Sequence, residues 1–154
     1  QCGRGHGRGT RAGVRCQQAQ QPRVVVGVHV GNPHAVVFTD DLSSLGSLET
    51  APTVTPAGSY PEGVNVEFVE ILPNFEAKMR VHERGSGETQ SCGTGVVAVA
   101  MAAAKKNRES LPTKWEVNPP GGRLYVEIDA HSNGILTGPA VIVKDVEIEE
   151  FLER

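Results

Sequence analysis

The segment Glu88-Thr89-Gln90-Ser91-Cys92-Gly93-Thr94-Gly95 places a thiol at the start of an almost uniformly apolar run, Val96 to Lys106. The apolar run reads as a buried helix, because a helix apolar on all sides has no solvent face. The flanking glycines permit tight backbone geometry and close approach of a ligand. The first N–H groups of a helix have no internal partner and point outward. That end carries partial positive charge, which favours thiolate over thiol. The same N–H groups can seat a carboxylate or phosphate. One turn therefore offers an activated sulfur beside an anion cradle. The plainer alternative is that Cys92 is a small buried hydrophobe and the glycines only shape a turn. A phosphate loop fits poorly, since the string lacks the Gly-Lys-Ser/Thr ending.

Other chemistry-bearing residues stand at turns and strand positions. Glu83-Arg84-Gly85 closes a strand just before the cysteine turn. Neighbours on an extended strand point to opposite faces, though a glycine turn could bring both to one pocket. There Arg84 could hold a carboxylate with two parallel contacts, and Glu83 could hold an ammonium or tune the thiol. An ordinary solvated charge pair is the simpler account. Asn32 and His34 fall in a turn between two apolar strands, as an amide donor and an imidazole that could adjust a thiol, or as turn chemistry and a surface histidine. Asn65 lies inside a strand, where Asn is disfavoured, so its amide needs a partner in the structure or in a ligand.

The elements that must position these residues follow from periodicity and turn signals. Strands are expected at 24–30, 35–39, 64–71, 77–83, 113–118, 123–129 and 134–143, with the helix at 96–106. Gly31-Asn32-Pro33-His34 reads as a turn, and residues 40–63 as a long connection with one short helix. Residues 64–71 alternate apolar and polar, the mark of a half-buried strand. Lys105 and Lys106 suit the negative end of the helix dipole. Pro120-Gly121-Gly122 and Thr137-Gly138-Pro139 read as structural turns. The fold class is α+β: a curved, mostly antiparallel sheet wrapped around a central buried helix.

Composition narrows the function classes. The chain has 154 residues, 38% hydrophobic and 21% charged, which suits a folded domain with a real core. A net charge of −3 gives no bulk attraction to nucleic acid or anionic membrane, and no apolar run reaches the length of a membrane span. The three cysteines, Cys2, Cys16 and Cys92, are too few for a disulfide framework and lack Cys-x-x-Cys spacing, which argues against a zinc site and leaves the cytoplasm as the default compartment. Residues 1–22 are rich in Gly, Arg and Gln and are expected to be a poorly ordered tail or remnant, with the domain running from 23 to 154.

Several strings, in order, resemble the diaminopimelate epimerase family. They are Gly31-Asn32-Pro33-His34-Ala35-Val36, Gly63-Val64-Asn65-Val66-Glu67-Phe68, the long run from Arg80 through Glu83-Arg84-Gly85 to Cys92-Gly93-Thr94-Gly95, Pro120-Gly121-Gly122, and Leu136-Thr137-Gly138-Pro139-Ala140. The long run is the specific one; the short pieces alone would be weak. The resemblance implies one half of a two-domain fold. It also implies inversion of one α-carbon of LL-diaminopimelate to the meso form, for lysine and peptidoglycan synthesis. Two cysteines on opposite faces of the carbon act as base and acid, without pyridoxal phosphate or metal. Carried over, Cys92 is the proton acceptor, and Gly93 and Thr94 are donors to the reacting carboxylate. Asn32, Asn65, Glu83 and Arg84 read the distal amino-acid end, and His34 and Glu83 adjust the thiols. The implied partner is a small amino-acid substrate, and a homodimer is compatible with the family.

The family's other domain carries a Cys-Gly-Asn-Gly turn with the second cysteine. Gln1-Cys2-Gly3-Arg4-Gly5 resembles its start, with Arg4 in place of Asn and no apolar helix after it. Cys2 is therefore a weakened candidate, and Cys16 has no matching context. The expectation is that the amino-terminal domain is largely missing and that this chain alone is weak or inactive. The alternatives are a related proline racemase or PhzF-like isomerase, and a non-catalytic truncated binding or assembly module.

Overall fold

The computed structural model describes residues 13–15 and 23–144. Cys2, Cys16 and most of the expected tail lie outside the described residues. Within that stretch, Gly13–Arg15 forms strand β1. The remaining strands are β2 Arg23–His29, β3 Pro33–Phe38, β4 Thr53–Thr55, β5 Asn65–Leu72, β6 Glu76–Glu83, β7 Gly87–Thr89, β8 Thr113–Asn118, β9 Leu124–Ile128 and β10 Gly134–Thr137. Helix α1 spans Gly93–Asn107.

The strands form one sheet in the order β10-β9-β8-β6-β5-β3-β2-β1-β4, with β7 paired to β6. Pairing is antiparallel except for β3 with β5 and β6 with β8. Those two parallel pairs are joined by the longest excursions in the chain, as parallel neighbours require. Helix α1 touches seven consecutive strands, β2 through β10 along that order. A flat sheet of that many strands would be roughly 29 Å wide, while a helix is about 10–12 Å thick. One helix can reach them all only if the sheet curls around it. The fold is thus α+β, with a curled, mostly antiparallel sheet around one buried helix.

Helix α1 is small-residue-rich for a reason. Ala98, Ala100, Ala102 and Ala103 are buried against Val36, Val69, Met79, Val81, Trp115 and Val126, so short side chains let the sheet close on the helix. Ala also has the highest helix propensity. The helix ends at Arg108 in the left-handed region, with Lys105 and Lys106 in the last turn.

Several expectations need correction. Strand β5 is buried on both faces, not one: Val69 packs toward α1, while Val66 and Phe68 pack on a second core with Leu45, Leu48 and Val64. The connection 40–63 supplies that second cover. It contains β4 and no helix. His34 belongs to β3, not to a turn, and is fully buried; proline is acceptable as the first strand residue, so Pro33 does not stop the strand. The last strand stops at Thr137, before Gly138-Pro139, and Val141 to Val143 are exposed. Short strands β4 and β7 carry too few residues to show a period.

Candidate functional site

Cys92 is the N-cap residue of α1. Its backbone is extended, with φ −128° and ψ 110°, and its side chain makes no capping hydrogen bond. Its carbonyl accepts the Val96 N–H at 2.9 Å, which starts the helix. A usual cap would use a Ser, Thr, Asp or Asn oxygen to satisfy an early N–H. A cysteine leaves those donors open, and no acidic residue stands in the first turn. The thiol is free and 7% exposed, at the rim of the core. The turn before it is braced by Gly121, whose N–H donates to the Gln90 carbonyl at 2.7 Å. A Cβ on Gly121 would stand 3.0 Å from that oxygen, so Pro120-Gly121-Gly122 supports the cysteine loop from below.

The pleat then sorts the other candidates. Asn65 and Glu67 of β5, Glu83 of β6 and His34 of β3 share the face turned to the start of α1; His34 is the register partner of Asn65, and Glu67 that of Val81. A hydrogen-bonded chain leads from the sulfur into this face. Cys92 Sγ lies 3.6 Å from Thr94 Oγ1. Asn32 Nδ2 donates to Thr94 Oγ1 at 3.4 Å. His34 Nε2 stands 3.0 Å from Asn32 Oδ1, and its Nδ1 2.6 Å from Glu67 Oε1. Burial pushes the Glu67 carboxyl up, and the hydrogen bond with His34 opposes that. The other oxygen, Glu67 Oε2, is buried with no hydrogen-bond partner among the described residues.

The remaining candidates are placed as follows. Asn65 Oδ1 accepts the Arg84 backbone N–H at 2.8 Å, which explains an asparagine in mid-strand. Glu83 Oε2 accepts from Thr89 Oγ1 at 3.0 Å. The Glu83-Arg84 pair stays split between faces. The Arg84 guanidinium donates to the Glu62 carbonyl at 2.9 Å and lines a cavity of about 270 Å³ with Tyr60, Val64 and His82. Only its backbone joins the Asn65 cluster. Glu67 was assigned no role from the sequence. In the alternation of 64–71 it falls on the polar face with Asn65, and that face is buried because it turns to the start of α1, while the connection before β5 covers Val66 and Phe68 on the other face. Among the described residues, no group of three His, Cys, Asp or Glu side chains is placed to hold a metal ion.

Comparison with known proteins shows the family of the chain. A family model described as diaminopimelate epimerase matches residues 26–143. The chain is 47% identical over 127 residues to a diaminopimelate epimerase of Streptomyces coelicolor, covering 79% of this chain and 44% of that protein. It is 39% identical over 136 residues to one from Neisseria meningitidis serogroup A, covering 88% and 47%. The chain thus spans about half the length of the curated relatives it matches. A crystal structure of a Bacillus anthracis phenazine biosynthesis protein of the PhzF family aligns over 82% of this chain and 39% of that one, at 14% identity with a TM-score of 0.47. With the family model matched from strand β2 to beyond β10, the chain belongs to the diaminopimelate epimerase family.

Proposed function

We propose that this chain supplies Cys92 as one of two acid/base cysteines that epimerise diaminopimelate between the LL and meso forms. The observation that carries the reading is the sulfur at an open helix N-terminus, with a polar chain behind it. An amino-acid α-proton is very weakly acidic. Its removal needs a positioned base and stabilisation of the charge that flows into the carboxylate. The N–H groups of Gly93 and Thr94 sit where a carboxylate would meet the positive end of α1. Cys92 then takes the α-proton from one face. The second cysteine acts from the opposite face, on the other half of a two-domain fold of which residues 23–154 form one half. Asn32, Asn65 and Glu83 read the distal end of the substrate, Arg84 joins them once its guanidinium leaves the Glu62 carbonyl, and His34 and Glu83 adjust the thiol. The reaction requires neither pyridoxal phosphate nor metal, and serves cytoplasmic lysine and peptidoglycan precursor synthesis.

The test is isotope exchange. LL-diaminopimelate is incubated with the chain in heavy water, and α-deuterium and stereochemistry are read by mass spectrometry and chiral separation. One thiol alone should exchange the α-proton with retention and accumulate little meso product. The exchange should vanish in Cys92→Ala. No exchange, or exchange that survives that substitution, would sink the reading. Rapid accumulation of the meso isomer would show that a second acid is already present in this chain.

A further inference from the structure

Glu67 is buried in mid-strand, and one of its oxygens has no partner among the described residues. A buried carboxyl with one oxygen unpaired carries a desolvation cost that its one hydrogen bond, to His34, only partly offsets, so its place there needs a cause. Its neighbours supply one. Glu67 Oε1 would stand 2.9 Å from a Cβ on Gly95, and Cys92 Sγ 3.4 Å from the same point. Carboxyl and sulfur therefore approach one another across the bare Cα of Gly95. A naked carboxylate there would oppose a thiolate by like charge.

We infer that Glu67 is a positioning residue for Cys92: with His34 it shares one proton, and that proton sets the direction of the hydrogen bonds that reach the sulfur. His34 Nδ1 faces a Glu67 oxygen and Nε2 faces the Asn32 amide oxygen. The shared proton is one beyond the hydrogen of a neutral imidazole: when it sits on the ring, Glu67 is a carboxylate and both ring nitrogens carry hydrogen. If Glu67 is protonated, its O–H donates to Nδ1 and Nε2 still carries hydrogen. Either arrangement makes Nε2 the donor to Asn32 Oδ1. The amide then turns Nδ2 to Thr94 Oγ1, as observed. With its acceptor side occupied, the Thr94 hydroxyl has its hydrogen free for Cys92 Sγ. That bond stabilises a thiolate. Removing the shared proton would make Nε2 an acceptor and reverse the amide. Thr94 would then donate to Asn32 and accept from a protonated thiol. The pair is electrically neutral while it holds the proton, so it adds no net repulsion at the sulfur.

The titratable groups facing this chain are few. His34 comes from β3, Glu83 from the end of β6, and Tyr60 from the connection before β5; the latter two both interact electrostatically with Glu67. The first turn of α1 contributes no acidic group.

The inference rests on Cys92 being the reactive acid/base, but its test needs no substrate. Iodoacetamide labelling of the 154-residue chain, read peptide by peptide so that Cys2 and Cys16 are separated, gives the pH midpoint of Cys92 reactivity. Thr94→Val should raise that midpoint by about one pH unit, the loss of one hydrogen bond to a charged sulfur. Thr94→Ser should restore it. Glu67→Leu frees the ring and lets the amide take both orientations, so the midpoint should rise by about half to one pH unit. In the double variant the shift should equal that of Thr94→Val alone. Full additivity, or no shift in Glu67→Leu, would overturn the inference. If Glu67→Leu does not fold, nitrogen-15 spectra of the unaltered chain decide: Nε2 of His34 should carry hydrogen at neutral pH, and a bare Nε2 would overturn the relay. Failure of α-proton exchange with these shifts intact would sink the epimerase reading and leave this one standing.

Discussion

Two polar clusters sit back to back on strands β5 and β6. On the helix face, Glu67, His34 and Asn32 lead to Thr94 and Cys92. On the opposite face, Arg80 pairs with Glu88 at 2.7 Å and donates to the carbonyls of Leu42, Leu45 and Gly46. Glu88 also accepts the Leu48 N–H at 2.9 Å, and His82 Nδ1 contacts the Leu48 carbonyl at 2.6 Å. Both clusters contain a histidine and a glutamate, and residue type alone would not separate them. Their completeness does. The Arg80 cluster spends its donors on loop carbonyls and clamps residues 42–48 over the second core. The Glu67 cluster keeps an unpaired oxygen and ends at a sulfur beside open N–H groups. A satisfied network stabilises a fold; a network with an open end is available to chemistry.

This contrast should break in opposite directions under substitution. The largest effect belongs to Cys92→Ala, which should cut α-proton exchange by about 10²–10⁴-fold while changing stability by no more than about 1 kcal/mol. Mass-spectrometric exchange and urea unfolding read the two separately. Arg80→Met should do the reverse. It strands Glu88 and the loop carbonyls, costing about 2–3 kcal/mol in urea unfolding because the pair is only partly buried, while the Cys92 labelling midpoint stays in place.

Gly95→Ala sharpens the contrast from inside the helix. Alanine in a helix interior is normally worth about 1 kcal/mol over glycine. Here the new Cβ meets Glu67 Oε1 at 2.9 Å and Cys92 at 3.3–3.4 Å. Overpacking costs about 1–3 kcal/mol. Urea unfolding should therefore show net destabilisation, and the Cys92 labelling midpoint should move. A stabilised protein with an unchanged midpoint would mean that carboxyl and sulfur do not share that space.

The smallest effect is a pH dependence. Hydrogen bonds from Arg80, then from the Leu48 N–H, hold the Glu88 carboxyl below its usual 4.5, against a raising contribution from burial. A depressed folded value means the carboxylate contributes stability above the unfolded value and loses it as pH falls through the folded one. The stability gap between the unaltered chain and Glu88→Gln should be full near pH 7 and close below about pH 4.5. Glu67 is shifted the other way, so acidification should not weaken the helix-face cluster through that carboxyl. A gap that does not shrink at all as pH is lowered from about 4.5 through acid unfolding would show that Glu88 acts by shape and not by charge.

The cysteine turn was legible because its signals are local: glycines, an apolar run and a terminal pair of lysines suffice to place α1 and Cys92 at its start. Strand β8 matched its expected bounds, since turn residues mark both ends. His34 was misplaced in a turn because Asn-Pro outweighed a strand signal that only pairing with β2 and β5 makes visible. Glu67 was missed for a related reason. Alternation around it implies a wet face, and nothing near it in the chain announces that α1 packs on that face while residues 42–64 cover the apolar one.

Cys92 thus returns as the point where two kinds of information meet. By itself, the sequence determined the helix, the thiol at its mouth and the residue types of a family pattern, because helix propensity and turn chemistry act over a few residues. Only the tertiary structure decided which buried carboxyl stands behind that thiol and which side chains link the two. Those depend on the parallel register of β3 with β5 and on the curl that brings β5 under the first turn of α1. Pairings of that kind join residues tens of positions apart, beyond the reach of any local pattern.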